Sequence, residues 1–310
     1  MGLSFQPRQE QTLARAVTVS GFGLFTGEDA RLEFCPAPPG HGIVFERTAP
    51  GESVRIPALV DYVVPQPRCT VIARNKASVM VIEHVMAALA GLRVDNCLVR
   101  INAPEPPAGD GSAGHFVEAL LAAGIISQDR QRDTVVVKTP LLHTESYHVG
   151  IAVQPSRLDE FQVGFILDYG PGPIGTQALN VPINPETFVR EIARCRTFVL
   201  EREVQQLRSQ GLGLRATTQN ALVFSNQGLI DNALRFPDEC VRHKILDCIG
   251  DFALLGCDVV GRFTAMRSGH RLNHEIVRVI SEHHREQNAP LTSSFQPVRS
   301  APTQPVAKAG

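Results

Sequence analysis

The chain has 310 residues, enough for two ordinary domains, and with 43% hydrophobic and 20% charged residues it can bury a sizeable core. A formal net charge of −1 leaves no basic excess to neutralise phosphates, which argues against a nucleic-acid scaffold. Its seven cysteines contain no CxxC pair and several lie in apolar runs, the pattern of reduced, buried thiols rather than of a disulfide framework or a Cys-zinc site.

The opening "MGLSFQPRQEQTLARAVTVS" has no long apolar segment, and Gln6 stands where a myristoylation signal requires Ser or Thr. No stretch approaches a twenty-residue span, so a soluble, cytoplasmic chain that is not an integral membrane protein is expected. The segments "ARLEFCPA" and "GIVFERT", bounded by Pro and Gly, predict strands. An apolar helix follows in "EHVMAALAGL", a strand in "NCLVRI", a Pro-rich loop in "NAPEPPAGDGSAG" and a second helix in "HFVEALLAAGI". The polar run "SQDRQRD" reads as a linker. Beyond it the style repeats, with strands in "TVVVKTP", "YHVGIAVQP" and "FQVGFILDY", helices in "PETFVREIAR" and "RHKILDCIGDFALLG", and a strand in "DVVGRFTAM". His84 precedes Gly91 by the same seven residues that separate His243 from Gly250, and each helix leads into an extended apolar segment. The expected fold is therefore α+β, with two similar facing domains, 1–129 and 134–286, each a sheet packed with helices and with the active-site cleft between them. The Pro-, Ser-, Thr-, Gln- and Ala-rich stretch 287–310 is expected to be a disordered tail.

Chemistry concentrates in "RHKILDCIGD". On a helix His243, Asp247 and Asp251, each four apart, share one stripe beside an apolar arc of Ile245, Leu246, Cys248, Ile249 and Phe252. Most polar stripes are only solvated faces. An imidazole and a carboxylate one turn apart can also reach a single ion, and two ligands need a third. Of the ten histidines, His283 and His284 border the tail, His143 and His148 sit in a polar strand–turn stretch, and His41 lies in a Pro-Gly turn. His84, His115, His270 and His274 remain. Glu83 and His84 open a helix with no other charge until Arg93. Glu83 alone could simply favour the helix N-terminus, but the pair is costly to bury without partners. His84, His243 and Asp247 would supply three zinc ligands, with Glu83 as general base toward water. His270, presented by a Ser-Gly turn and kept protonated by Asp251, would protonate a departing amine.

Six segments then carry a resemblance from about Gln11 to Ile280: "GFGLFTG", "EHVMAALAGLRVDN", "NAPEPPAGDGSA", "RTF", "FPDECVRHKILDCIGD" and "FTAMRSGHRLN". In this order they resemble the zinc-dependent UDP-3-O-acyl-N-acetylglucosamine deacetylases of lipid A biosynthesis. The resemblance implies one Zn2+ per chain on His84, His243 and Asp247, Glu83 as base, and His270 as charged acid supported by Asp251. It adds Thr197 as an oxyanion donor and Lys244 at the anionic parts of the substrate. It also implies an insert, "FVLEREVQQL", whose Phe198, Val199, Leu200, Val204 and Leu207 would form a passage for an acyl chain. The implied partner is an acylated UDP-sugar, with no nucleic acid, and the chain is expected to act as a monomer.

Four departures from the family's pattern stand out. Phe25 replaces a common His, Met80-Val81 a Ser-Thr capping pair, His115 a Pro, and Arg215-Ala216 a Gly-Gly pair. Arg215 could alter nucleotide recognition or add a phosphate contact. No departure falls on a metal, base or acid position. Two rivals stay open: a paralogue deacetylating another nucleotide sugar or amide, and a non-enzymatic binder on the same fold.

Overall fold

A computed structural model describes residues 7–49 and 52–288; the opening "MGLSFQ" and the tail beyond Asn288 lie outside the described residues. In the first half, alternation in "DARLEFCP" sends Leu32 and Phe34 inward and Glu33 outward, the pattern of a sheet with one covered face. Its strands are β1 (Val17–Phe22), β2 (Asp29–Pro36), β3 (Ile43–Ala49) and β4 (Glu52–Pro57), followed by helix α1 (Glu83–Gly91), strand β5 (Cys97–Ile101) and helix α2 (Gly114–Ala123). The sheet order is β1-β2-β5-β3-β4, with β5 antiparallel to β2 and parallel to β3.

The second half repeats this plan. It comprises β6 (Leu141–Ser146), β7 (Val149–Gln154), β8 (Phe161–Asp168) and β9 (Thr176–Pro182), then helices α3 (Glu201–Ser209) and α4 (Glu239–Phe252), strand β10 (Asp258–Met266) and helix α5 (His270–Asn288). The order is β6-β7-β10-β8-β9, with β10 antiparallel to β7 and parallel to β8. Strand for strand the two topologies are the same, so the duplication hinted at by two equal His-to-Gly intervals is written in the connectivity. The short strand Thr134–Val136 adds parallel to the start of β10.

Helix α1 is buried over Glu83–Leu89, as expected of a segment apolar nearly all round, and it packs directly on α4. That contact requires glycine: a Cβ built on Gly250 would lie 2.0 Å from the Glu83 carbonyl oxygen. Gly91 is equally confined, its Cβ position 2.2 Å from the Phe188 ring. The two glycines at matched intervals are thus both sites of close approach.

Two expectations change. All but the last two residues of the run read as a linker lie in a strand, Ile125–Gln131, antiparallel to Gln9–Leu13. Its polar side chains need no buried face because backbone pairing holds it. Nearby, Arg8 donates to both oxygens of Asp95 at 2.7 Å and to both of Asp258 at 2.7 and 2.8 Å. One guanidinium therefore clasps carboxylates at the start of each central strand region. The segment "PETFVREIAR" is helical in a different form, with Asn184 capping a single α-turn at Pro185–Thr187 that widens into a π-helix over Phe188–Ile192.

Candidate functional site

Helix α4 presents His243 and, one turn later, Asp247; across the interface α1 presents His84. All three are buried, and their ligating atoms lie within 4.8 Å of one another. The Asp247 Oδ1 atom is 3.3 Å from His243 Nε2 and 3.7 Å from His84 Nε2. His243 Nδ1 lies 3.0 Å from the Cys195 carbonyl oxygen, which can only accept. Nδ1 therefore carries the proton, and Nε2 turns its lone pair toward the cluster, as a metal ligand does. Burial, and for His84 the neighbouring His243, pushes both imidazoles down, His84 to about 3, so both are neutral and able to ligate. Burial would raise Asp247, but Lys244, whose Nζ donates to Oδ2 at 2.7 Å, holds it below the usual carboxylate range. Two neutral imidazoles and an anionic carboxylate oxygen make a donor set that fits zinc.

Glu83, buried beside His84, accepts a hydrogen bond from the Thr70 amide at 3.0 Å on Oε2, leaving Oε1 3.8 Å from His270 Nε2. Burial lifts Glu83 to about 7 against the pull of His270. His270 opens α5 and places Nδ1 2.9 Å from Asp251 Oδ2. Burial works against the imidazolium, but Asp251 and Glu83 outweigh it and raise His270 to about 9. The structure thus brings a carboxyl raised toward neutrality and an imidazole raised above it to the edge of the His84–His243–Asp247 group.

The sign of the expected pH dependence follows. A proton donor raised to about 9 is charged below that pH and is lost as pH rises through it. If His270 is the acid, kcat/KM falls on the alkaline side near pH 9. Asp251→Asn moves that limb down by at least about one unit. A pH–rate profile with an unmoved limb in the variant would remove His270 as the group responsible.

Three further neighbours complete this part of the site: Asn273 and Thr70, which the sequence reading did not weigh, and His274, which it kept as a candidate without giving it a role. Asn273 Nδ2 donates to Asp251 Oδ2 at 2.8 Å, Thr70 Oγ1 donates to Oδ1 at 2.5 Å, and His274 Nε2 lies 2.9 Å from the Thr70 hydroxyl. A signal for two of them exists. Leu272, Ile276, Val277 and Ile280 recur with helical spacing, so His270, Asn273 and His274 fall on neighbouring positions of one helix face. Thr70 carries no local signal.

Glu83, His84, His243, Asp247 and His270 open into a cleft of about 1560 Å³ that also receives Thr197, Phe198, Val199, Val204 and Leu207. Thr197 is set by its backbone, with its amide donating to Gly111 and its carbonyl accepting from Leu222, both at 2.8 Å. Next to it, Arg196 forms a buried ion pair with Glu239, the first residue of α4, at 2.8 Å. Lys244 lines the same cleft. Leu200, expected in the acyl passage, does not line it and instead packs against the hydrophobic core. It is the last residue of the strand Phe198–Leu200, where the chain turns into α3.

The departures fall in different places. Phe25 lines the cleft, its turn held by amides donating to the buried Glu105 at 2.9 to 3.1 Å. Arg215 folds outward: Nη1 donates to Gly27 and Asp29 at 2.7 Å, with the guanidinium 4.4 Å over the Phe22 ring. Its guanidinium is thus engaged by groups of the first half of the chain. His115 is held by the Pro107 carbonyl at 3.1 Å and stands outside the ligand group. In place of a capping pair, Val81 adopts φ 57°, a strained conformation for a β-branched residue.

A family model described as UDP-3-O-acyl N-acetylglycosamine deacetylase matches residues 10–282. Over 272 residues the chain is 38% identical to the UDP-3-O-acyl-N-acetylglucosamine deacetylase of Myxococcus xanthus, covering 87% of this chain and 86% of that protein. It is 39% identical over 272 residues to the like-named protein of Syntrophotalea carbinolica, covering 87% of each chain. It is 40% identical over 269 residues to that of Geotalea uraniireducens, with 86% and 87% covered. Among the described residues, no helix is long and apolar enough to cross a membrane.

Proposed function

The chain belongs to the UDP-3-O-acyl N-acetylglycosamine deacetylase family, and from that premise we propose that it hydrolyses the acetamide of UDP-3-O-(3-hydroxyacyl)-N-acetylglucosamine with one zinc ion, giving acetate and the free amine for lipid A biosynthesis. The observation that carries this reading is the buried convergence of His84, His243 and Asp247 beside Glu83 and His270 in one cleft. His84, His243 and Asp247 would hold the ion. Zinc bound there supplies Lewis acidity toward a carbonyl and a lowered pKa for water.

The chain's own residues supply the proton traffic. Glu83 removes a proton from the attacking water as a C–O bond forms at the acetyl carbon. The Thr197 hydroxyl donates to the oxygen on which charge develops. His270 then gives its proton to the nitrogen as the C–N bond breaks, so the sugar leaves as a neutral amine. Lys244 donates to Asp247 and lines the cleft beside it, where it would both balance the ligand carboxylate and meet anionic parts of the substrate. Phe198, Val199, Val204 and Leu207 give the acyl chain an apolar wall. We take the enzyme to act as a monomer in the cytoplasm.

Acetate release from acylated and non-acylated UDP-N-acetylglucosamine tests the substrate. Burying even three methylenes contributes roughly 2.4 kcal/mol, so kcat/KM is expected to favour the acylated compound by at least about 50-fold. Equal rates would favour a paralogue with another substrate, for which Phe25 in the cleft wall is the first residue to change. No release from either compound by folded, metal-loaded protein would leave only a binder.

A further inference from the structure

We propose that Thr70 is a positioning residue that aligns the base of one half of the molecule with the acid of the other. The inference rests on the reading of Glu83 as base and His270 as acid. Thr70 is fully buried just before the strand Val71–Arg74. Its amide donates to Glu83 Oε2 at 3.0 Å. Its hydroxyl lies 2.5 Å from Asp251 Oδ1 and 2.9 Å from His274 Nε2.

The single hydroxyl proton decides the polarity of this chain of bonds. An ionised carboxylate can only accept, so the hydroxyl donates to Asp251 and accepts from His274, whose Nε2 must then carry hydrogen. Asp251 Oδ2 is left for His270 Nδ1 at 2.9 Å and Asn273 Nδ2 at 2.8 Å. Glu83 and Thr70 belong to the first half; Asp251, His270 and His274 belong to the second. One residue therefore touches the base through its amide and the acid's counter-charge through its side chain, across the interface that forms the cleft. Losing the hydroxyl leaves Asp251 Oδ1 and His274 Nε2 without this shared partner and frees Asp251, and with it His270, to shift relative to Glu83. A misaligned acid slows the chemical step while leaving substrate and metal contacts in place.

The test uses the full, zinc-loaded chain with Thr70→Val, Thr70→Ser, Asp251→Asn and the Thr70→Val/Asp251→Asn double variant. Glu83→Gln and His270→Gln run in parallel. Thr70→Val is expected to lower kcat by about 10- to 100-fold, the range for one hydrogen bond to a charged group, with KM within about twofold and zinc still at about one per chain. Thr70→Ser recovers most of the loss. In the Asp251→Asn background Thr70→Val costs less than about twofold, because the negative charge through which Thr70 acts is already gone. Equal losses in the Ser and Val variants, or losses that multiply in the double variant, overturn the proposal. If Thr70→Val does not fold, Thr70→Ala in the same cycle decides. Parent-like turnover in Glu83→Gln or His270→Gln would instead sink the base or acid reading.

Discussion

Glu83→Gln is expected to lower kcat by about 10²- to 10⁴-fold while zinc content and KM stay near those of the parent. The substitution is nearly isosteric, and the acceptor that the Thr70 amide needs at 3.0 Å survives as the Gln carbonyl oxygen. His84 follows directly in the helix, and its place is set by α1 packing on α4, so the ligand group is undisturbed. What disappears is the ability to accept a proton. Burial lifts the Glu83 carboxyl to about 7, against the pull of His270, which gives it far more affinity for a proton than an ordinary surface glutamate has. An amide has almost none. Metal analysis and steady-state kinetics on the same preparation separate the two explanations of a loss: an inactive variant that keeps its zinc has lost its base, whereas one that loses both has lost its site. Turnover close to the parent's would refute Glu83 as the base.

How the site came to be readable in part is a matter of where its residues sit. His243 and Asp247 lie on one helix, so a spacing of four reports their proximity directly. Glu83 and His84 were conspicuous because two ionisable groups opened an otherwise small and apolar helix, and that helix is buried. The meeting of the two helices left only a faint trace, the matched intervals to Gly91 and Gly250. Both glycines prove to be points where a Cβ could not fit. Thr70 is different in kind. It joins the site through bonds to residues 181 and 204 positions away, which no local pattern encodes. The strand Ile125–Gln131 was equally hidden, since pairing with Gln9–Leu13 depends on a partner more than a hundred residues distant. The helix α5 was legible from its apolar spacing, but the reading stopped at the Ser-Gly turn that presents His270 and assigned no element beyond it. The direction of Leu200 turned on where a strand gives way to a helix, and such boundaries are poorly set by sequence.

Loss of a metal ligand is expected to have the largest effect of all, and Asp247 is the most informative place to make it. Several kcal/mol of transition-state stabilisation from a metal ion correspond to a rate loss of at least about 10³-fold. Chelation of the parent should abolish acetate release to that extent, and added zinc should restore it. Asp247→Asn should be inactive by a similar factor and should not recover at the zinc concentration that rescues the parent. Its consequence reaches beyond the ion, because the same carboxylate accepts from Lys244 Nζ at 2.7 Å and outweighs the desolvation of that part-buried amine. Removing the negative charge leaves Lys244 a part-buried cation at the cleft wall whose nearest counter-charge is gone, which lowers stability when uncompensated. His243→Ala removes a ligand without that penalty, since the group it releases is only the Cys195 carbonyl. Both variants should therefore lose zinc and activity, but Asp247→Asn should also unfold at a markedly lower urea concentration than His243→Ala. Equal midpoints would show that Lys244 leans on another partner, and retained zinc in either variant would remove that residue from the ligand set.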